Sequence, residues 1–181
     1  MPRDGVFETA VTLFLAEQAP ELAKVHDELY PERVDEQIPL SLTLLYPFAP
    51  RDSLDTDYLE MLRHFFVSRR PLAFDIAGVA QWEQGGAIYG VPEPDGQLRS
   101  TMRALWELFP EFPPYGGGVE PPPHASLTLD GGEDPAATRA RVEERLDGLL
   151  PAHFEVGQAT LMEELEPDRW HVVETFPFGG P

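Results

Sequence analysis

The stretch SLTL occurs twice in the chain, in IPLSLTLLYPF (Ile38–Phe48) and in PPPHASLTLDGG (Pro121–Gly132). Each copy alternates a hydroxyl side chain with leucine, the period-two pattern of a strand with one face buried and one open. In the first copy Leu42 and Leu44 share one face, and Ser41 and Thr43 share the other. In the second, Leu127 and Leu129 are expected to enter the core, with His124, Ser126 and Thr128 on the opposite face. The two strands are expected over about residues 39–45 and 123–129.

The segments downstream of the two copies are alike. Behind the first comes a helical pattern from about Ser53 to Ser68, with Tyr58, Leu62, Phe65 and Phe66 on one stripe. PLAFDIAGVAQW and GAIYGVP then read as a strand pair, with turn chemistry at Gln84-Gly85-Gly86. Behind the second copy, Asp134 and Pro135 make an N-cap and N1 start for a helix with Val142, Leu146 and Leu149 inward. HFEVGQATLME and RWHVVETFP read as a closing strand pair.

The common order strand, helix, strand, strand predicts an internal duplication. The expected fold class is α+β, with two pseudo-symmetric lobes, each an antiparallel sheet backed by helices, around a central cleft. Residues 1–181 then form a single bilobal domain. Ahead of the first copy, Val6 to Leu15 alternates, with Phe7, Val11, Leu13 and Leu15 on one face and Glu8, Ala10 and Thr12 on the other. Pro20 opens a short helix that Pro31 stops. Asp95 is expected to cap a helix carrying Leu98, Met102, Leu105, Trp106 and Phe109, and Pro110–Pro123 is a Pro/Gly-rich loop.

Composition narrows the functions available. The 181 residues contain 32 Asp and Glu against 13 Lys and Arg, a formal net charge of −19. A field of that sign repels a long phosphate backbone, so duplex DNA is not an expected partner. Cysteine is absent, which removes thiolate metal sites and cysteine nucleophiles. No apolar run approaches the roughly 20 residues of a membrane span. A cytoplasmic monomer is the expectation.

The hydroxyl rows carry a more specific signal. If the lobes pack about a pseudo-two-fold, Ser41 and Thr43 face Ser126 and its neighbours across a groove. In this respect the chain resembles the two-histidine (2H) phosphoesterase superfamily, in particular its bacterial 2′-5′ RNA ligase-like and cyclic phosphodiesterase-like branch. IPLSLTLLYPF resembles that family's first His-x-Thr/Ser motif and its apolar continuation, and PPPHAS resembles the second. FPEFPPYGG and LMEELEPDRWHVVETFPFG are similar to the segments around it. The resemblance covers nearly the whole chain.

It implies metal-independent chemistry without a cofactor on a small nucleotide or an RNA-end phosphate, 2′,3′-cyclic or 2′-5′-linked. One neutral histidine accepts a proton from the attacking hydroxyl or water, and a second, protonated, donates to the leaving oxygen. The motif hydroxyls hold the phosphate oxygens. Here Ser41 stands at the position of the first histidine, and serine does not titrate near pH 7. Thr43 matches the first motif hydroxyl.

The second motif has two registers, His124 with Ser126 or Ser126 with Thr128. His124 is the expected acid/base, with Ser41, Thr43, Ser126 and Thr128 as phosphate or substrate contacts. His171, Tyr115, Glu8 and Thr12 are candidates to enter the cleft as auxiliaries, whereas the lone helical histidines His26 and His64 read as structural. Three functions stay open: a phosphoesterase weakened by loss of one histidine, an inactive nucleotide- or anion-binding module, and an acidic protein-interaction scaffold. An arginine in the cleft favours the first two, and Arg99, Arg103 and Arg169 are the arginines weighed for that place.

Overall fold

The computed structural model describes residues 6–83 and 86–179. Its elements run β1 (Thr9–Phe14), α1 (Pro20–Leu29), α2 (Pro31–Asp35), β2 (Ser41–Leu45), α3 (Thr56–Val67), β3 (Leu72–Gln81) and β4 (Ile88–Glu93). There follow α4 (Gly96–Leu108), β5 (Ala125–Ser126), α5 (Pro135–Arg145), β6 (Ala152–Val156), β7 (Gln158–Glu166) and β8 (Arg169–Pro177). Two four-stranded antiparallel sheets result, ordered β2-β1-β7-β8 and β5-β4-β3-β6. The α+β class and the paired lobes around a cleft agree with the expectation. No helix among the described residues is long and apolar enough to cross a membrane.

Each motif strand is the outer strand at one end of its sheet. β2 follows β1 through α1 and α2, and β5 follows β4 through α4, so the spatial repeat is the β-α-β unit that ends on SLTL. The repeat expected from the sequence begins one unit too late. Phe74 of PLAFDIAGVAQW and Phe154 of HFEVGQATLME, which the matching order of the two halves puts in separate lobes, are direct partners across β3 and β6 of one sheet, their rings stacked at 5.5 Å. HFEVGQATLME is likewise not one strand: β6 ends at Val156 in the second sheet, and β7 begins at Gln158 in the first. Gly157 alone separates them, and the chain changes sheets there. Periodicity reports which face of a strand is apolar and says nothing about which sheet supplies the neighbour.

The leucines of β2 behave as their alternation requires, with Leu42 0% and Leu44 1% exposed. α3 covers the first sheet, laying Phe66 over Phe176 at 5.9 Å, and Arg63 clamps Glu174 through two bonds of 2.6 and 2.8 Å. α4 touches β2, where the Trp106 indole N–H donates to the carbonyl of Leu44 at 2.9 Å. Asp55 and Asp134 cap α3 and α5 by accepting from the backbone N–H of Tyr58 and Ala137. Asp95 occupies the N-cap position of α4, but its carboxylate accepts from Arg99 Nε at 2.6 Å and not from a backbone N–H. Of the turn assigned to Gln84-Gly85-Gly86, Gln84 and Gly85 lie outside the described residues; Gly86 closes back on Trp82 with a φ of 71°.

The second motif strand is shorter than expected, and the reason is Thr128. Its buried hydroxyl accepts from the N–H of Ile88 at 2.9 Å and donates to the carbonyl of Asp130 at 2.8 Å, turning the chain away from the ladder. Alternation therefore stops after Leu127. Leu129, expected in the core, is 56% exposed and stands at the cleft. Thr128→Val keeps the shape and removes both bonds, leaving the Ile88 N–H buried without its partner. The expected cost is about 1–3 kcal/mol, read as a lower urea midpoint, with ligand binding retained.

Candidate functional site

A cleft of about 320 Å³ lies over the open face of the first sheet and is closed by residues of the second. Its floor follows from period two. β1 contributes Glu8, Ala10 and Thr12 from its approach and length, β2 contributes Ser41 and Thr43, β7 contributes Met162 and Glu164, and β8 contributes Trp170. From the other sheet come His124 and Ser126 at β5, and Tyr115 reaches in from the Pro/Gly loop.

His124 is 6% exposed, edge-on to Trp82 at 5.2 Å and to Tyr89 at 5.8 Å. Its Nδ1 lies 2.8 Å from the carbonyl of Pro122, which can only accept, so Nδ1 carries the hydrogen. The neutral ring then presents a lone pair at Nε2, where the Tyr115 hydroxyl stands 3.3 Å away. Burial lowers the pKa of this imidazole below its ordinary 6.5; the Pro122 bond opposes that shift and the Arg33 guanidinium adds to it. His124 is thus held neutral and oriented.

Tyr115 is fixed on both sides. Its N–H donates to the carbonyl of Tyr46 at 2.8 Å, and its backbone occupies the left-handed region at φ 51°, a conformation costing a non-glycine residue about 1–2 kcal/mol. Gly116, Gly117 and Gly118 continue at positive φ, which lets the loop fold back beside the motif. The Tyr46 hydroxyl donates to Glu8, and its pKa is raised by burial first and by Glu8 next. Among the described residues no hydrogen bond engages the hydroxyls of Ser41, Thr43 or Ser126, so these stand free to bind a ligand. The Thr12 hydroxyl is already committed to the carbonyl of Leu42 at 3.1 Å.

The geometry therefore brings Ser41, Thr43, His124, Ser126 and Tyr115 to one cleft. Thr128 is not among its lining residues, being spent on the turn after β5. His171 also faces away: it follows Trp170 on β8, so alternation sends it to the other face, with Nε2 3.2 Å from Glu163. Arg99 and Arg103 pair with Asp95 and Glu120 outside the cleft, and Arg169 does not line it.

Among the cleft residues that sequence reasoning missed, two are basic. Arg33 on α2 is the only lysine or arginine among the described lining residues; it bonds Glu36 at 3.1 Å and lies 5.0 Å from the Tyr30 ring. His26 on α1, 2% exposed, lines the same cleft. The available signal was position: both belong to the helices that lead into β2, which places them near the end of the strand that carries Ser41. Four carboxylates, Glu8, Glu36, Glu164 and Asp168, complete the wall. Burial raises the pKa of Glu36, against the opposing pull of Arg33.

Solved structures of this architecture exist. LigT of E. coli in complex with 3′-AMP is similar at a TM-score of 0.64 and 13% identity, over 96% of this chain and 98% of that one. LigT of E. coli in complex with ATP gives 0.60 at 14% identity, over 96% and 99%. TT0787 of Thermus thermophilus gives 0.62 at 23% identity, over 96% and 98%. Identities this low establish the fold. No curated protein matches the sequence. The family profile described as the 2′-5′ RNA ligase superfamily matches residues 15–168, a span that contains both SLTL copies and every cleft residue except Glu8, Ala10, Thr12 and Trp170, and the chain accordingly belongs to the 2′-5′ RNA ligase superfamily.

Proposed function

We propose that the cleft binds and hydrolyses a small 2′,3′-cyclic or 2′-5′-linked nucleotide phosphate, with His124 as an acid/base group. The observation that carries this reading is the committed tautomer of His124. With Nδ1–H given to Pro122, Nε2 carries the lone pair that takes a proton, in place of the weak 3.3 Å contact from the Tyr115 hydroxyl. The free hydroxyls of Ser41, Thr43 and Ser126 and the Arg33 guanidinium supply donors for phosphate oxygens. LigT of E. coli, which shares this fold, holds 3′-AMP in one structure and ATP in another.

Ser41 occupies the place of the first motif histidine, so the first motif contributes contact and no proton transfer. That substitution favours a second reading, a nucleotide-binding module without turnover. An interaction scaffold is disfavoured by the arginine inside the cleft. The test is incubation with 2′,3′-cyclic AMP and with a 2′-5′-linked dinucleotide, products separated by chromatography, alongside thermal shift with 3′-AMP. Turnover is the expected result. Stabilisation by 3′-AMP without turnover would establish the binding module, and neither effect would overturn both.

A further inference from the structure

The cleft holds a second imidazole that neither SLTL copy supplies. His26 lies in the last turn of α1, with its Nδ1 2.9 Å from the Asp27 carboxylate. An ionised carboxylate only accepts, so Nδ1 carries the hydrogen and Nε2 is the atom left to exchange a proton. Among the described residues no hydrogen bond engages that Nε2, and it is not one of the sealed polar atoms left without a partner. The ring is nearly enclosed, yet this nitrogen is not sealed, and the residue lines the cleft. Tyr30, one turn on, holds the ring at 6.0 Å, and the Arg33 guanidinium acts on both His26 and His124. Both imidazoles line the one cleft, with Arg33 between the same walls.

We propose that His26 is the second proton-transfer residue of this cleft, filling from α1 the role that Ser41 cannot fill from β2. The proposal rests on the phosphoesterase reading above. In hydrolysis of a 2′,3′-cyclic phosphate, His124 Nε2 takes a proton from water as the water oxygen bonds to phosphorus. The bond from phosphorus to one ribose oxygen breaks, and protonated His26 gives its Nε2 proton to that oxygen. The product is a phosphomonoester, and exchange with solvent returns both rings to their starting states. Burial lowers the pKa of both rings, but only His26 has a carboxylate partner to oppose that shift, so of the two the imidazolium is better supported at His26, whereas His124 has only a carbonyl. The charged groups acting on the His26 ring are Asp27 from its own helix and Arg33 from α2.

The test uses turnover of 2′,3′-cyclic AMP by the full chain. His26→Gln is expected to lose about 10²–10⁴-fold in kcat. Ser41→His added to that variant is expected to recover activity, since position 41 faces the same cleft. His26 is buried, so Asp27→Asn supplies a reading that leaves the imidazole in place. Asp27 is half-exposed, and removing its charge lowers the affinity of His26 for its proton. The alkaline limb of the pH–rate profile is therefore expected to move to lower pH. A wild type that turns over while His26→Gln keeps its full rate overturns the role of His26 and leaves the phosphoesterase reading standing. An inactive wild type that Ser41→His alone makes active overturns both.

Discussion

His124→Ala is expected to lower turnover of a 2′,3′-cyclic nucleotide by about 10²–10⁴-fold, the usual contribution of one proton-transfer group. Ground-state binding should suffer much less, because Ser41, Thr43, Ser126 and Arg33 remain to hold the phosphate. The comparison of kcat with KM therefore separates a proton-transfer role from a phosphate contact. A fall in affinity at unchanged kcat would assign His124 to binding and sink its role as a base. The pH dependence follows from the environment of the ring. Burial depresses its pKa below 6.5, so the base keeps its lone pair to lower pH than an exposed histidine would. The acid limb of the wild-type profile should accordingly lie below pH 6.5, where an exposed histidine would already be losing activity.

The same shift has a consequence for stability. In the unfolded chain the imidazole protonates near pH 6.5, and in the folded chain only at lower pH. Below about pH 6.5 the unfolded state binds more protons, so folding stability falls as the pH falls. His26, depressed mainly by its burial against the opposing pull of Asp27, acts in the same direction. The slope of stability against pH is expected to flatten in His124→Ala over that window, measured as the urea midpoint at several pH values.

How much of the fold and the site was legible in the sequence depends on the range of the interaction that decides each feature. Faces of strands are set by neighbours two residues away, and the placement of Ser41 and Thr43 opposite buried Leu42 and Leu44 followed directly from alternation. Thr128 defeats the same rule because its hydroxyl competes with the ladder for the Ile88 N–H, a contact between residues 40 apart in the chain. Sheet membership was illegible for a related reason. β3 and β6 each follow a helix and carry matching phenylalanines, and only their mutual pairing reveals that they share a sheet. A lone histidine on an amphipathic helix has no pattern to set it apart. His26 becomes a candidate only when α1 is seen to end at the cleft beside β2.

Arg33→Gln is expected to weaken binding of 3′-AMP by about 10–150-fold, the loss of roughly 1.5–3 kcal/mol carried by hydrogen bonds to a charged group. The electrostatics of the wall make this residue decisive. Glu8, Glu36, Glu164 and Asp168 all line the cleft, on a chain of net charge −19, and Arg33 is the single lysine or arginine set against them among the described residues. An anion enters such a site only where one cation outweighs the surrounding carboxylates at short range. Longer phosphate chains carry charge past the reach of Arg33 and meet the acidic wall, so selection for a small phosphate follows from the same arrangement. Arg33→Lys keeps the charge but gives up the planar fork that meets Glu36 and lies by the Tyr30 ring, and should recover only part of the affinity. Isothermal titration of both variants with 3′-AMP decides the matter. Unchanged affinity in Arg33→Gln would mean that the hydroxyls and His124 alone hold the phosphate, and that Arg33 serves to pin Glu36 and α2 to the rim.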